Sequence, residues 1–417
     1  MWQWYDCPPW AANLRHIPTI AYSGEVDRQK QAADVMVAAC DAELVNELAL
    51  LHIIGPNTAH QLHPDSLAEI ERRLAIIAAA PQRPLPRRVR FRTCTLKYNQ
   101  VHWVTIDSMD EHWRPAEVDA RIGPHGELDF STSNVSGLTV RFPPGSLGDA
   151  SPLGDIISPI PVTFAELPNP IAIAGEQSAA DSGDIVEAAV QILRDDPRLR
   201  VLTDGSWECS FVRSGDGWEI VDAPLSGRRK RHNLQGPIDD AFMDSFLFVT
   251  PTGDESHPPV SKWVESESSR AIQQWRQQMR GDARVKPASE VTDEDIASHN
   301  LILWGDPASN PLIERILPDL PLTWTPGALH VAGVDYDPAK HVPVLIYPNP
   351  LNPRRYVVLN SGFTYREYDY LNNARQTPKL PDWSVINLDT PPGPRWPGKV
   401  VDAGFFGEDW QVRAKNE

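Results

Sequence analysis

The first eighty residues alternate strand-like and helix-like patterns, and this order restricts the possible fold more than any other feature of the chain. The expected elements are a strand over 17–22, a loop over 23–27, a helix from 28 to about 51, a strand over 50–54, a loop over 55–63 and a helix over 64–80. The last helix has Leu67, Ile70, Leu74 and Ile77 at helical spacing. A repeated strand–loop–helix order predicts a parallel α/β sheet.

The composition is that of an ordinary globular protein. The 417 residues are 41% hydrophobic and 23% charged, and at about 100–200 residues per domain they allow two to four domains. No run approaches the roughly 18 apolar residues of a membrane-spanning helix, so no membrane span is expected. The net charge of -17 argues against a nucleic-acid partner, because phosphate binding needs a basic face. Two short basic runs, 87–92 and 228–231, are interpreted as solvated.

The cysteines predict no metal site. Cys7, Cys40, Cys94 and Cys209 are widely spaced and form no C-x-x-C, so neither zinc nor a disulfide framework is expected. Cys40 is placed in the core of the first helix. The histidines outside the first region give no metal site either. No metal-ligand spacing relates His102, His112, His232 and His257.

The start of the chain does not resemble a signal peptide or the start of a domain. Trp2, Trp4 and Trp10 lie in the first ten residues, and no basic or apolar targeting segment precedes them. We expect this segment to pack against polypeptide further upstream. The localisation stays unknown, with a lean towards an extracytoplasmic location for a longer parent protein.

The apolar pattern changes to strict alternation after a proline-rich joint at 81–86. Residues 87–165 are expected to form an antiparallel β-sandwich, since 88–92, 101–106 and 138–142 alternate. Residues 166–235 are interpreted as a mixed α/β linker region with a helix at 182–193 and a hairpin within 200–223. Strands and helices then alternate through 236–417, which predicts a small Rossmann-like α/β domain. It contains no G-x-G-x-x-G, so no dinucleotide and no other cofactor is expected.

Acidic and histidine side chains follow the two strands expected in the first region. Asp27 comes after the first strand, with Glu25 as the alternative acid. His60 comes after the second strand, with His63 as the alternative base. Loops after neighbouring parallel strands lie at one edge of a sheet, so an acid can orient an imidazole there, as in a Ser-His-acid site. Taken alone, Asp27 could equally cap a helix and His60 could be a surface histidine.

These residues lie in segments that resemble a known family. The segments Ile-Pro-Thr-Ile-Ala-Tyr-Ser-Gly-Glu-Val-Asp (17–27), Gln-Lys-Gln-Ala-Ala-Asp (29–34) and His-Ile-Ile-Gly-Pro-Asn-Thr-Ala-His-Gln-Leu-His-Pro (52–64) resemble the end of a prolyl oligopeptidase-like serine peptidase. The later segments 235–242 and 347–353 look like regions appended to the hydrolase in large bacterial members. The resemblance covers about a fifth of the chain. It implies that 1–80 is the C-terminal portion of an α/β-hydrolase sheet, with Asp27 as the triad acid and His60 as the base.

The chain departs from this family at the nucleophile. No G-x-S-x-G turn occurs anywhere, and neither Ser206 nor Ser361 lies on a strand–turn–helix pattern. We therefore expect little activity from this chain alone on a peptide or ester substrate. The chain could be a fragment, half of a split gene or a decayed paralogue, and the character of its start favours a fragment. We also expect 1–80 to be its least stable part.

The alternative function is non-catalytic binding of a glycan or protein partner by the sandwich and the Rossmann-like domain. The strand-to-helix turn with Asp306, Ser309 and Asn310 is the candidate ligand-binding position, since open α/β sheets bind ligands at this edge. The acidic cluster Asp239, Asp240 and Asp244 is interpreted as a capped loop in preference to a cation site. The tryptophans of the later regions are interpreted as core in preference to a carbohydrate platform.

Overall fold

The computed structural model describes residues 6–43, 50–80, 85–144, 160–167, 188–192, 197–215 and 217–413. Trp2, Trp4, most of the joint at 81–86, much of 144–170 and the first half of the helix expected at 182–193 lie outside these residues. The chain divides into two compact units, Trp2–Leu225 and Ser226–Glu417. This boundary lies ten residues before residue 236, where the sequence pattern predicts the start of the C-terminal domain.

The first unit begins with two parallel strands and two helices in the order that the pattern predicted. They are β1 (Ile20–Gly24), α1 (Lys30–Glu43), β2 (Leu51–Gly55) and α2 (Pro64–Ala79). In the parallel pair, Ile20 lies opposite Leu51 and Gly24 lies opposite Gly55, so both strands end level. Cys40 of α1 is buried against Ala11, as expected of a core residue.

A short 3₁₀ segment, Pro8–His16, joins these elements to the rest of the first unit. The Asn13 side-chain amide donates to Arg92 O and its oxygen accepts from Arg92 N, both at 2.9 Å. His16 adds a 3.1 Å contact with Arg90 O. The N-terminal elements are therefore hydrogen-bonded to a strand of the following sheets.

Two sheets with one shared core make up the rest of the first unit. The strands are β3 (Arg88–Thr93), β4 (Gln100–Val101), β5 (Val104–Met109), β6 (Ala116–Ile122), β7 (Leu128–Ser133), β8 (Val135–Phe142), β9 (Ile160–Glu166), β10 (Ala188–Ile192), β11 (Arg200–Val201), β12 (Trp207–Ser214) and β13 (Gly217–Val221). One sheet has the order β10-β9-β7-β6-β3. The other has the order β11-β12-β8-β5-β4, with β13 paired to β12. Aromatic side chains fill the core between them, including Phe130 of β7, Phe211 of β12 and Trp103 of the turn between β4 and β5.

The structure differs from three expectations for this region. Residues 188–192 form strand β10, where a helix was expected, because they pair with β9 over five residue pairs. The sheets are also not wholly antiparallel, since β7 and β9 run parallel. Strands β10–β13 belong to the same two sheets as β3–β9, although the sequence pattern indicated a separate linker region there.

The second unit contains a seven-stranded mixed sheet, a three-stranded sheet and helices. The strands are β14 (Phe246–Thr250), β15 (Val285–Pro287), β16 (Asn300–Leu303), β17 (Leu322–Thr325), β18 (Ala328–Val331), β19 (Val334–Tyr336), β20 (His341–Asn349), β21 (Asn352–Leu359), β22 (Trp383–Asn387) and β23 (Lys399–Gly404). The helices are α3 (Pro258–Met279), α4 (Asp293–Ser298) and α5 (Pro311–Ile316). The described helices include none that is long and apolar enough to cross a membrane.

The strand pairing of the large sheet changes from parallel to antiparallel in its middle. Its order is β15-β14-β16-β21-β20-β22-β23, with parallel pairing from β15 to β21 and antiparallel pairing from β21 to β23. Only two residues, Pro350 and Leu351, separate β20 from β21. Parallel strands need a crossover of a dozen residues or more, so this connection makes the pair antiparallel. Apart from the parallel pair β1–β2, the described residues thus form mixed and antiparallel β-sheets with few helices.

Candidate functional site

The loops that follow β1 and β2 are hydrogen-bonded to each other. Glu25 N donates to Gly55 O at 2.9 Å, and Val26 N donates to Thr58 O at 3.0 Å. A side chain at Gly24 would place its Cβ only 2.1 Å from Ala59 O. The glycine that ends β1 therefore allows the second loop to lie directly against the first.

This arrangement brings Asp27 and His60 into contact. The Asp27 Oδ2 atom lies 2.9 Å from His60 Nδ1. The other carboxylate oxygen accepts a 2.9 Å hydrogen bond from Gln29 N. That backbone donor, and then the His60 ring, hold the pKa of Asp27 below its usual value. The carboxylate thus accepts from Nδ1–H, which leaves Nε2 as the basic nitrogen of the neutral ring.

The two members of the pair differ in exposure. The Asp27 side chain is 11% exposed, whereas the His60 side chain is 76% exposed. Among the residues that the structure describes, none forms a hydrogen bond with Nε2 of His60. A sheltered carboxylate and an open imidazole nitrogen are what a general base needs in order to reach a reacting group.

The alternative residues have other partners. The Glu25 carboxylate accepts from Asn57 N at 2.8 Å, which ties the two loops together. His63 precedes α2, and its backbone N–H donates to the Tyr22 hydroxyl at 2.9 Å. The structure therefore brings together Asp27 and His60, and it places neither Glu25 nor His63 in that pair.

A serine–histidine–aspartate array that the sequence pattern did not indicate lies within the first region. The Ser23 hydroxyl lies 3.0 Å from Nε2 of His52, whose Nδ1 lies 3.7 Å from an Asp34 carboxylate oxygen. Ser23 is only 6% exposed, so a substrate carbonyl cannot reach its hydroxyl. We interpret this array as a link between β1, β2 and α1.

The serines considered as nucleophiles are engaged in local contacts. The Ser206 hydroxyl donates to the Asp204 carboxylate at 2.6 Å, and the Ser361 hydroxyl donates to Gly362 O at 2.8 Å. Neither forms a hydrogen bond with a histidine. The nucleophile of a triad is thus not found among the described residues.

The polar turn of the second unit is satisfied internally. Asp306 accepts from the backbone N–H groups of Ser256 and Ser309 at 2.7 and 2.9 Å. Asn310 donates to Trp304 O and accepts from Leu312 N, as the cap of α5. These side chains hold the turn in place and are buried. The polar side-chain atoms of this turn are thus already used within the fold. They give no support to the prediction that Asp306, Ser309 and Asn310 bind a ligand.

The acidic cluster also has structural partners. Asp239 accepts from Thr364 N at 2.9 Å, and burial raises the pKa of its carboxyl to about 6. Asp240 accepts from the Tyr356 hydroxyl at 2.7 Å, and Asp244 pairs with Arg355. Across the described ranges, no group of three or more His, Cys, Asp or Glu residues is placed to hold a metal ion.

Comparisons of the chain with protein-family models, with curated proteins and with solved structures found no match.

Proposed function

We propose that Asp27 and His60 form the acid–base half of a Ser-His-Asp hydrolase site of prolyl oligopeptidase type. The observation that carries this proposal is the 2.9 Å contact between Asp27 Oδ2 and His60 Nδ1, with Nε2 open to solvent. The arrangement also fits the family that segments 17–27 and 52–64 resemble. The substrate class is a peptide or an ester.

In this proposal, each residue has a separate task. Nε2 of His60 takes the proton of a serine hydroxyl as that oxygen attacks the carbonyl carbon, and later returns it to the leaving group. Asp27 fixes the tautomer and stabilises the imidazolium that forms. The serine and the donors of the oxyanion hole come from polypeptide that is not in this sequence, since no G-x-S-x-G turn occurs in it.

The fold of the first region supports the same proposal. We interpret β1 and β2, each followed by a helix, as the last strands of an α/β-hydrolase sheet. An apolar hollow of about 430 Å³ lies beside the start of both strands, lined by Pro18, Ile20, Leu51, Ile76 and Ile77 among others. Large exposed apolar surfaces commonly mark interaction sites. We propose that the segment supplying the serine covers this hollow. The mixed sheet of the second unit is proposed as a Rossmann-like variant with an antiparallel half.

Labelling with a fluorophosphonate probe tests the proposed function. The probe is applied to this chain alone and to a longer polypeptide that includes the residues encoded immediately upstream. We expect only the longer polypeptide to be labelled, because the probe reacts with an activated serine. If neither polypeptide is labelled, the proposal is contradicted, and the function must be sought in the later regions.

A binding function is the second candidate, and a cavity in the first unit favours it. This cavity of about 250 Å³ has aromatic walls formed by Trp10, Phe91, Tyr98 and Trp113. It is smaller than the cavities that hold drug-sized ligands, at roughly 300–1,000 Å³, so it fits a single ring or side chain. Trp113 also has a left-handed backbone, with a φ of 68°, and such strain often occurs at functional positions.

The polar side chains of this cavity favour a protein partner over a glycan. Asn13 is used by the Arg92 backbone on both sides of its amide. The Thr93 hydroxyl donates to Thr95 O, and the Thr95 hydroxyl accepts from Lys97 N. Among Asn13, Thr93 and Thr95, few donors or acceptors therefore remain for sugar hydroxyls. Tryptophan fluorescence titrations with proline-rich peptides and with oligosaccharides would separate the two, and Tyr98→Ala should weaken only the binding that uses this cavity.

A further inference from the structure

The hydroxyl of Tyr22, on β1, lies at the centre of the loop that carries His60. It donates to Gln61 O at 2.9 Å and accepts from His63 N at 2.9 Å. It also lies 3.3 Å from the Thr58 hydroxyl. These contacts lie on both sides of His60 along the chain, although no hydrogen bond among the described residues joins Tyr22 to the imidazole.

The strength of the three contacts differs. A phenol has one proton to donate, and here the Gln61 carbonyl is the acceptor placed to take it. The Thr58 hydroxyl donates to Gly55 O at 2.7 Å. The 3.3 Å contact with Thr58 is therefore the weakest, and the hydroxyl holds the loop mainly through Gln61 and His63.

The backbone of β2 leaves space for this hydroxyl. A Cβ at Gly55 would lie 2.1 Å from the Tyr22 hydroxyl oxygen. The last residue of β2 therefore has to be small where Tyr22 crosses from the neighbouring strand. Tyr22 and Gly55 form one arrangement in which the strand that precedes Asp27 holds the loop that carries His60.

We propose that Tyr22 is a positioning residue that sets the place of His60 relative to Asp27. This inference rests on the proposed function of the Asp27–His60 pair. Without the hydroxyl, the 61–63 backbone loses its acceptor and donor on β1, and the exposed imidazole is no longer held against the Asp27 carboxylate. The pair then spends part of its time apart, and the ring exchanges between its two tautomers.

The test compares the wild-type chain with Tyr22→Phe by ¹⁵N NMR of the histidine rings, at a pH where the imidazoles are neutral. In the wild type, we expect His60 to show one protonated Nδ1 and one unprotonated Nε2. In Tyr22→Phe, we expect the chemical shifts of both ring nitrogens to move to averaged values, as in an imidazole without a fixed tautomer. Tyr98→Phe removes an exposed hydroxyl elsewhere in the same unit and should leave the His60 signals unchanged.

His52 provides the internal control. Its contact with Ser23 lies on the same two strands but outside the Tyr22 contacts, so its signals should not change in Tyr22→Phe. A His60 signature that survives the substitution would overturn the inference. Equal changes in His52 and His60 would also overturn it, because they would show general loosening of the segment.

A measurement on the unmodified chain applies even where Tyr22→Phe does not fold. The His63 backbone N–H donates to the Tyr22 hydroxyl, so its hydrogen exchange should be slow compared with that of an exposed loop amide. Fast exchange at His63 would overturn the inference. Because these spectra report geometry and not turnover, an absence of fluorophosphonate labelling would count against the proposed function alone.

Discussion

Asp27 is held by two hydrogen-bond donors of different kinds, and this decides how its pKa responds to substitution. The Gln29 N–H is the larger cause of the lowered pKa, and the His60 ring is the second. The sequence could predict that Asp27 and His60 lie close together, because each follows a strand and the ends of parallel strands meet at one sheet edge. It could not separate them from Glu25 and His63, since that choice depends on the local hydrogen bonds of the two loops.

His60→Gln should raise the pKa of Asp27 without restoring its usual value. The substitution removes the ring's contribution, while the Gln29 N–H continues to stabilise the carboxylate. A ¹³C NMR titration of the Asp27 carboxyl in both proteins measures this directly. An unchanged pKa would mean that the His60 contact does not persist in solution.

The same shift gives the first region a dependence on acid. The folded pKa of Asp27 lies below its unfolded value of about 3.9. Its carboxylate therefore contributes stability above that pH, and the contribution is lost as the pH falls through the folded pKa. Thermal unfolding of the full chain between pH 7 and pH 2 should show a smaller loss of stability for Asp27→Asn than for the wild type. Equal losses would show that Asp27 has no such role.

At the scale of elements, the close contact between the β1 end and the histidine loop depends on Gly24. The Cβ of Gly24→Ala would lie 2.1 Å from Ala59 O and 2.4 Å from Thr58 O, both backbone atoms. We expect a loss of roughly 1–3 kcal/mol, as for other overpacked sites, together with loss of the fixed His60 tautomer.

Gly281→Ala is the matched control for this change, because its Cβ meets no atom within 4 Å. Denaturant unfolding and the histidine spectra of the two variants should therefore differ clearly. If Gly24→Ala were as stable as Gly281→Ala, the two loops would not lie as close together as described.

The second unit contains a fully buried ion pair that the sequence pattern did not indicate. Lys230 Nζ lies 2.7 Å from Asp382 Oδ2, and neither side chain is exposed. The sequence pattern predicts a solvated run at 228–231, and this prediction is wrong for Lys230. Its partner is 152 residues away, so composition alone could not reveal the pair.

Lys230→Met should destabilise the second unit by about 3–5 kcal/mol, because it leaves the Asp382 carboxylate buried without its cation. Adding Asp382→Leu should recover most of this loss, because no carboxylate then remains buried. The recovery is incomplete because the backbone N–H of Phe406, which also donates to Asp382, loses its acceptor. Arg276→Met, in an exposed pair with Asp282, should cost no more than about 1 kcal/mol. Urea unfolding of the four proteins measures all three effects. A small effect of Lys230→Met would contradict the account.

At the scale of the whole molecule, local patterns predicted elements better than they predicted pairing. The strands and helices of 6–80 and the alternating strands of the sandwich follow from their periods. Residues 188–192 are Ala-Ala-Val-Gln-Ile, which favour a helix by composition, yet pairing with β9 makes them a strand. Tyr22 and the Ser23–His52 contact could not be predicted, since both depend on the register of β1 against β2.

Limited proteolysis should cut first within 6–80. This segment has a two-stranded sheet and exposes Ile17, Leu74 and Ile76, whereas each later region has a large continuous core. Two-stranded sheets are marginally stable without further cover. Mass spectrometry of early digestion products identifies the first cuts. First cuts in 226–413, with 6–80 intact, would contradict this expectation.

The rate of fluorophosphonate labelling, measured on the longer polypeptide, tests the central claim most directly. Four variants are compared with the unmodified protein: Asp27→Asn, His60→Gln, Glu25→Gln and His63→Gln. We expect His60→Gln and Asp27→Asn to slow labelling by orders of magnitude, because each removes a triad member, while Glu25→Gln and His63→Gln stay within a few-fold. Fast labelling in His60→Gln, or a greater loss in His63→Gln, would contradict the assignment of Asp27 and His60 as the acid–base pair.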